Sequence, residues 1–148
     1  MDLAEIEAIK QLKARYFRML DTQDWAGYRR VFTDDLAIRV ENERIESGSD
    51  VTPQPLPQGG DAFIEHLQTL LTGVITVHHG HMPEIELTGE GTARGIWAME
   101  DLLAFPDGAQ MRGYGHYHET YRKEEGGWRI ATLHLTRLRV DYQPGPAS

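Results

Sequence analysis

Apolar residues recur at Leu3, Ile6, Ile9, Leu12, Tyr16, Met19 and Leu20. This three-and-four spacing predicts an amphipathic helix over residues 2–20. Asp24 stands directly before Trp25, Tyr28, Val31 and Phe32, as an N-cap would before a short second helix. Residues 36–40 alternate weakly and predict a short strand. Residues 47–60, with Pro53, Pro55, Pro57 and the Gly59-Gly60 pair, predict a loop placed to serve as a lid. Phe63, Leu67, Leu70 and Leu71 then return to helical spacing, which predicts a third helix over 62–71 capped by Asp61.

After Gly73 the pattern changes. Segments 74–87, 92–105, 110–123 and 128–142 are rich in strand-forming residues, and they are separated by Gly89-Glu90-Gly91, Pro106-Asp107-Gly108 and Gly126-Gly127. Four long strands in a meander follow. Strands longer than the usual five or six residues need bends or bulges, and a long curved sheet wrapped around helices makes a cone. The expected fold is α+β: three N-terminal helices in the concave face of a curved, mostly antiparallel sheet, with one pocket. A single domain over residues 1–142 is expected, followed by a flexible tail at 143–148.

Composition adjusts this picture only slightly. A chain of 148 residues is large enough for one core and too short for two. It is 40% hydrophobic and 26% charged, and it has no apolar run long enough to span a bilayer. Met1 leads directly into a charged, periodic segment without the pattern of a secretory leader, and cysteine is absent. A cytoplasmic protein is expected, with no membrane partner. A net charge of −8 opposes a phosphate backbone, and no basic stripe offsets it, so nucleic acid is not an expected partner. Seven histidines are the compositional oddity, because imidazole titrates near neutrality.

Three motifs carry a family resemblance. Leu20-Asp21-Thr22-Gln23-Asp24-Trp25 is followed by Arg30-Val31, Val77-His78-His79-Gly80 leads to Ile85 and the Gly89 turn, and Gly127-Trp128-Arg129-Ile130-Ala131 opens the last strand. With three helices before a meander, the chain resembles the SnoaL-like branch of the nuclear transport factor 2-like superfamily. In scytalone dehydratase and bile-acid dehydratases of that superfamily, the residue matching Asp21 orients a general-base histidine that matches His78. The resemblance therefore implies an Asp21–His78 acid-base pair, and the spacing of Tyr16 to Asp21 resembles the placement of a catalytic phenol in bile-acid dehydratases. Leu20 and Val40 depart from scytalone dehydratase, which has tyrosines there, and Gly115 and Tyr117 replace its Ser and Asn, so a different substrate is expected.

Independent physical grounds make Asp21 a candidate. A carboxylate at the C-terminal end of a helix meets the negative end of the macrodipole, at a cost of a few tenths to about 1 kcal/mol, and something should compensate it. A solvated turn residue is the competing account. For the histidine, simple alternation groups His79, His81, Ile85 and Leu87 on one strand face and His78 with Met82 on the other, while a bulge at Gly80 would change which set points inward. The resemblance selects His78. It also turns Tyr117 and Glu119 inward; Trp97 and Met99 alternate on the neighbouring strand as lining for a flat apolar cavity, and His79 completes the expected substrate contacts. Core packing is the rival account for these aromatics and for Tyr16.

His79-x-His81 and His116-x-His118 each place two imidazoles on one strand face, as cupin metal sites do, but cupins lack a three-helix start, and no metal is assigned. Phosphate-binding glycine loops and a nucleophile elbow are absent. The expected activity is a cofactor-free dehydratase or isomerase acting on a small apolar cyclic, polyketide-like or steroid-like ligand, in a homodimer or homotrimer. The alternative is a non-catalytic binding or accessory protein of the same fold.

Overall fold

The computed structural model describes residues 2–41 and 55–146. Helix α1 (Leu3–Asp21) starts where Asp2 Oδ1 accepts the backbone N–H groups of Ala4 and Glu5, and it buries Ile9, Leu12, Lys13, Tyr16 and Leu20 along one stripe. Helix α2 (Trp25–Arg29) is capped as the sequence predicts, the Asp24 side chain accepting from Gly27 N–H at 3.0 Å. Strand β1 (Phe32–Val40) starts earlier than the weak alternation indicates.

Helix α3 (Gly60–Leu70) corrects one expectation. Asp61 is not its cap: Gly59, at φ +88°, occupies that position, and Asp61 binds Arg29 Nε at 2.7 Å. Arg29 also reaches Asp34 at 2.6 Å and the Phe32 carbonyl at 3.1 Å, which ties α2, β1 and α3 together. Residues 47–54 of the expected lid lie outside the described residues. The rest of that segment is fastened to β1, where the Gln58 amide accepts from Ile38 N–H at 2.8 Å and donates to Ile38 O at 2.9 Å.

Strands β2 (Ile75–Gly89), β3 (Thr92–Ala104), β4 (Gln110–Glu124) and β5 (Gly127–Gln143) form the long meander. The sheet order is β1-β5-β4-β3-β2, antiparallel except where β1 runs parallel to β5. The sheet is not closed, and the helices pack in its concave face: this is the α+β cone. Register breaks bend it, between His81 and Glu84 in β2 and, opposite Tyr114/Gly115 and Thr120/Tyr121 of β4, at Leu138 and Ala131 in β5. Beyond β5, Gly145 and Pro146 lie against the Asp107-Gly108 turn. No helix among the described residues is long and apolar enough to cross a membrane.

The core is aromatic where helices meet sheet. Tyr28 and Phe32 rings pack edge to face at 4.9 Å, Phe32 meets Phe63 at 5.6 Å, and Tyr16 lies 5.3 Å from Tyr28 and 5.7 Å from Tyr117. Such contacts add about 0.5–1.5 kcal/mol per pair beyond area burial. Trp128, on the last strand, donates to Glu5 and fixes the start of α1 to the end of the meander.

Candidate active site

Asp21 is the last residue of α1, and its carboxylate faces β2. Oδ2 accepts the His78 backbone N–H at 2.8 Å, while Oδ1 accepts the Thr76 hydroxyl at 2.9 Å and lies 2.7 Å from His78 Nδ1. These donors supply the compensation that a carboxylate at a helix C-terminus requires. With an anionic Asp21 as acceptor, the consistent tautomer has its proton on Nδ1, leaving Nε2 as the basic lone pair.

Nε2 lies 3.8 Å from Asp101 Oδ2. Asp101 is itself held by Arg137, Nη1 to Oδ1 at 2.9 Å and Nη2 to Oδ2 at 3.1 Å, with side chains only 3% and 1% exposed. A planar guanidinium matches both carboxylate oxygens, which lets a charged acid stand inside the cone. His78, 11% exposed, thus sits between two carboxylates, one bonded to Nδ1 and the other facing Nε2. Both would stabilise an imidazolium formed there.

Thr76, His78 and Asp101 border a cleft that is partly open to solvent, with a cavity volume of about 80 Å³. Leu20, Phe63 and Leu67 contribute apolar wall from the helical side, Leu103 and Leu133 from the sheet, and Thr76, His78 and Asp101 are its polar side. A few polar groups in a mostly apolar concavity are the usual features of a small-molecule site. Tyr16, Tyr28 and Tyr117 also line it. Burial pushes the Tyr16 phenol up, only partly offset by the neighbouring Tyr28 and Tyr117 hydroxyls, so it remains a neutral donor at physiological pH.

The sequence candidates divide between two places. Tyr16, His78 and Tyr117 line the cleft, and Asp21 stands behind His78, bonded to its Nδ1. Trp97, Met99 and Glu119 point inward but do not line it. Phe17 of α1 fills the space before Gly80 and Trp97, where a Cβ on Gly80 would come 2.6 Å from the Phe17 ring. Trp97 instead donates to the Tyr121 hydroxyl at 2.8 Å, Tyr121 donates to Glu119 Oε1 at 2.7 Å, and Lys13 donates to Glu119 Oε2 at 2.7 Å. Met99 Sδ lies 3.6 Å from Arg137 Nη1, under the Asp101 pair.

His79 is on the opposite face of the sheet, 59% exposed, with its Nδ1 3.6 Å from Glu100. The substrate contact expected of it is corrected accordingly. The alternation that grouped His79 with Ile85 and Leu87 fails because the irregularity falls after His81, not at Gly80. Met82 adopts φ +38°, so the half-buried side of β2 runs Thr76, His78, Gly80 before it and Pro83, Ile85, Leu87 after it. His81, His116 and His118 share the outer face, and among the described residues no three His, Asp or Glu side chains converge as metal ligands.

The sequence model for the SnoaL-like domain matches residues 1–134. The chain belongs to this family. A relative in Gibberella zeae, described as "Probable cyclase FGR4", is 22% identical over 136 residues, 88% of this chain and 89% of its own. A Novosphingobium aromaticivorans protein assigned provisionally as a scytalone dehydratase is 20% identical with a TM-score of 0.77, over 99% of this chain and 92% of that one. A hexachlorocyclohexane dehydrochlorinase, LinA type 2, is 17% identical with a TM-score of 0.78, over 97% and 92%. Such structural likenesses show the α+β cone fold alone and leave the chemistry to the site.

Thr76, Asp101 and Arg137 were not among the sequence candidates. Signals for two of them exist: Asp101 continues the inward parity of Trp97 and Met99, and Arg137 continues that of Leu133 and Leu135. A charge at an inward position of each strand is the mark of a buried pair, but pairing β4 to β5 across a bulge is not readable from one strand alone.

Proposed function

We propose that this protein is a cofactor-independent lyase or isomerase that uses Asp21 and His78 on a small, mostly apolar cyclic substrate of polyketide-like or steroid-like size. The supporting observation is the Asp21–His78 contact: 2.7 Å between side chains, anchored by a backbone N–H and a threonine hydroxyl, on the wall of an apolar cleft. The chemistry follows from the tautomer. His78 Nε2 takes a proton from the carbon next to a substrate carbonyl, and that C–H electron pair becomes the enolate. Tyr16 donates a hydrogen bond to the enolate oxygen. When the enolate collapses, the β-hydroxide leaves with its bonding pair and takes the proton back from the imidazolium as water. Return of the proton to a different carbon gives isomerisation instead.

The LinA-type neighbour is named for loss of chloride and hydrogen from a ring, and the fungal relative for cyclisation; both names fit proton abstraction in an apolar pocket. The proposal places the enzyme in the cytoplasm as a homodimer or homotrimer, and exposed Val77, Ile96 and Leu138 are consistent with a partner copy on the sheet. Sedimentation velocity tests the assembly.

The test of activity is a panel of cyclic β-hydroxy ketones followed by ultraviolet absorbance of the conjugated product. Asp21→Asn should keep its circular dichroism and lose turnover by about 10³–10⁴-fold, as expected when an imidazole loses its orienting carboxylate. Near-normal turnover in that variant would sink the assignment.

A further inference from the structure

The mechanism above leaves a buried cation unused. Lys13 is fully buried on α1, its ammonium 2.7 Å from Glu119 Oε2. The same nitrogen lies 3.6 Å from the ring centroid of Tyr16 and 3.6 Å from that of Tyr117, with the Phe17 ring at 5.0 Å. Glu119 is occupied on its other oxygen by Tyr121, which Trp97 holds in turn. These are the charged and titratable groups of α1 and β4 that meet Lys13, together with the β3 indole beyond them.

Such a pair is a poor device for stability alone. Burying both ions carries a desolvation penalty that well-packed apolar residues of the same volume avoid, often with no loss of stability. The cost is visible in Lys13, whose pKa burial pushes down to about 8, against the opposing pull of Glu119. A positive charge against two aromatic faces does have an electrostatic consequence: it draws density from the rings and makes their hydroxyls stronger hydrogen-bond donors. Both rings line the same cleft as His78 and Asp101.

We propose that Lys13 is a positioning residue that polarises the Tyr16 and Tyr117 phenols, so that together they hold a substrate oxygen as it gains negative charge. The pocket is thereby matched to carbonyl compounds that pass through an enolate, and to flat rings that carry an anionic oxygen. This rests on the lyase or isomerase proposed above, and it adds a second tyrosine and a charge behind both.

The experiment uses the intact protein with 2-naphthol, a flat apolar ring with one ionisable oxygen, and naphthalene as the ring without it. Absorbance and fluorescence distinguish bound naphtholate from bound naphthol. Because Lys13→Met alone strands Glu119, the test variant is Lys13→Met/Glu119→Gln, with its folding checked by circular dichroism and thermal melting. The wild type should bind 2-naphthol as naphtholate and more tightly than naphthalene. The double variant should keep naphthalene affinity and lose about tenfold or more in naphtholate affinity, within the range of a desolvated cation–ring interaction. Unchanged naphtholate binding in the variant overturns the proposal, as does a wild type that binds neither compound or shows no preference for the oxygen. No turnover is needed, so failure here leaves the Asp21–His78 assignment standing, and that assignment fails separately in the Asp21→Asn assay.

Discussion

Arg137 holds Asp101 through two guanidinium nitrogens, at 2.9 and 3.1 Å, inside the cone. The pair allows a second carboxylate to stand 3.8 Å from His78 Nε2 with its own charge already matched. Arg137→Met removes the match and leaves Asp101 buried alone. A loss of about 3–5 kcal/mol in urea unfolding is expected. Adding Asp101→Leu should recover most of that stability while turnover stays low, since the imidazolium has then lost one of its two carboxylates.

Thr76 donates to the same Asp21 oxygen that faces His78 Nδ1. Thr76→Val keeps the shape and deletes the donor. A hydrogen bond to a charged group contributes about 1.5–3 kcal/mol, so unfolding free energy should fall by up to that amount. Turnover should drop by about tenfold, less than for Asp21→Asn, because the backbone N–H of His78 still anchors the carboxylate.

Gly113 tests the buried ion pair from the backbone side. A methyl group there would overlap Arg137 Nη1 and Asp101 Oδ1. Gly113→Ala should destabilise by about 1–3 kcal/mol, as overpacking does, and displace the pair from His78. The check is a crystal structure of the variant with turnover measured beside it; an undisturbed Asp101–Arg137 geometry would contradict the packing argument.

Asp35 supplies an acid-dependent term. The hydrogen bond from Arg122 holds its carboxyl down to about 2, from an ordinary 3.8. A folded-state pKa below the unfolded one contributes stability that is present above about pH 4 and lost as pH falls towards 2. Asp35→Asn should therefore lower Tm near neutrality more than at about pH 2, and added salt should shrink the difference because the pair is exposed.

The fold was legible because its elements announce themselves locally. The α1 stripe, the Asp24 cap and the glycine-marked turns of the meander are each short-range signals, and all appear where the sequence places them. Asp21 was legible for a similar reason: a carboxylate at a helix end needs donors, and β2 provides them. Errors arose where distant chain decides. Asp61 looked like a cap until Arg29, far away in sequence, claimed it. Trp97 and Glu119 face inward as expected, but α1 fills the space before Trp97 and Lys13 occupies Glu119, so neither reaches the cleft. Arg137 needed the β4–β5 pairing, including its bulge, before its partner Asp101 came into view.

The irregularity at Met82 has a consequence for how this strand tolerates change. It separates β2 into a chemical half, carrying Thr76 and His78, and a packing half, carrying Ile85 and Leu87, which point inward on opposite parities. Deleting Met82 would bring both halves onto one uninterrupted alternation with His78, Ile85 and Leu87 still facing inward, and would remove the local bend that the extra residue introduces. Substitutions in one half leave the other's orientation alone. The single left-handed residue thus absorbs the change of parity between the cavity wall and its base, whereas a one-residue deletion elsewhere in either half would turn inward side chains to solvent.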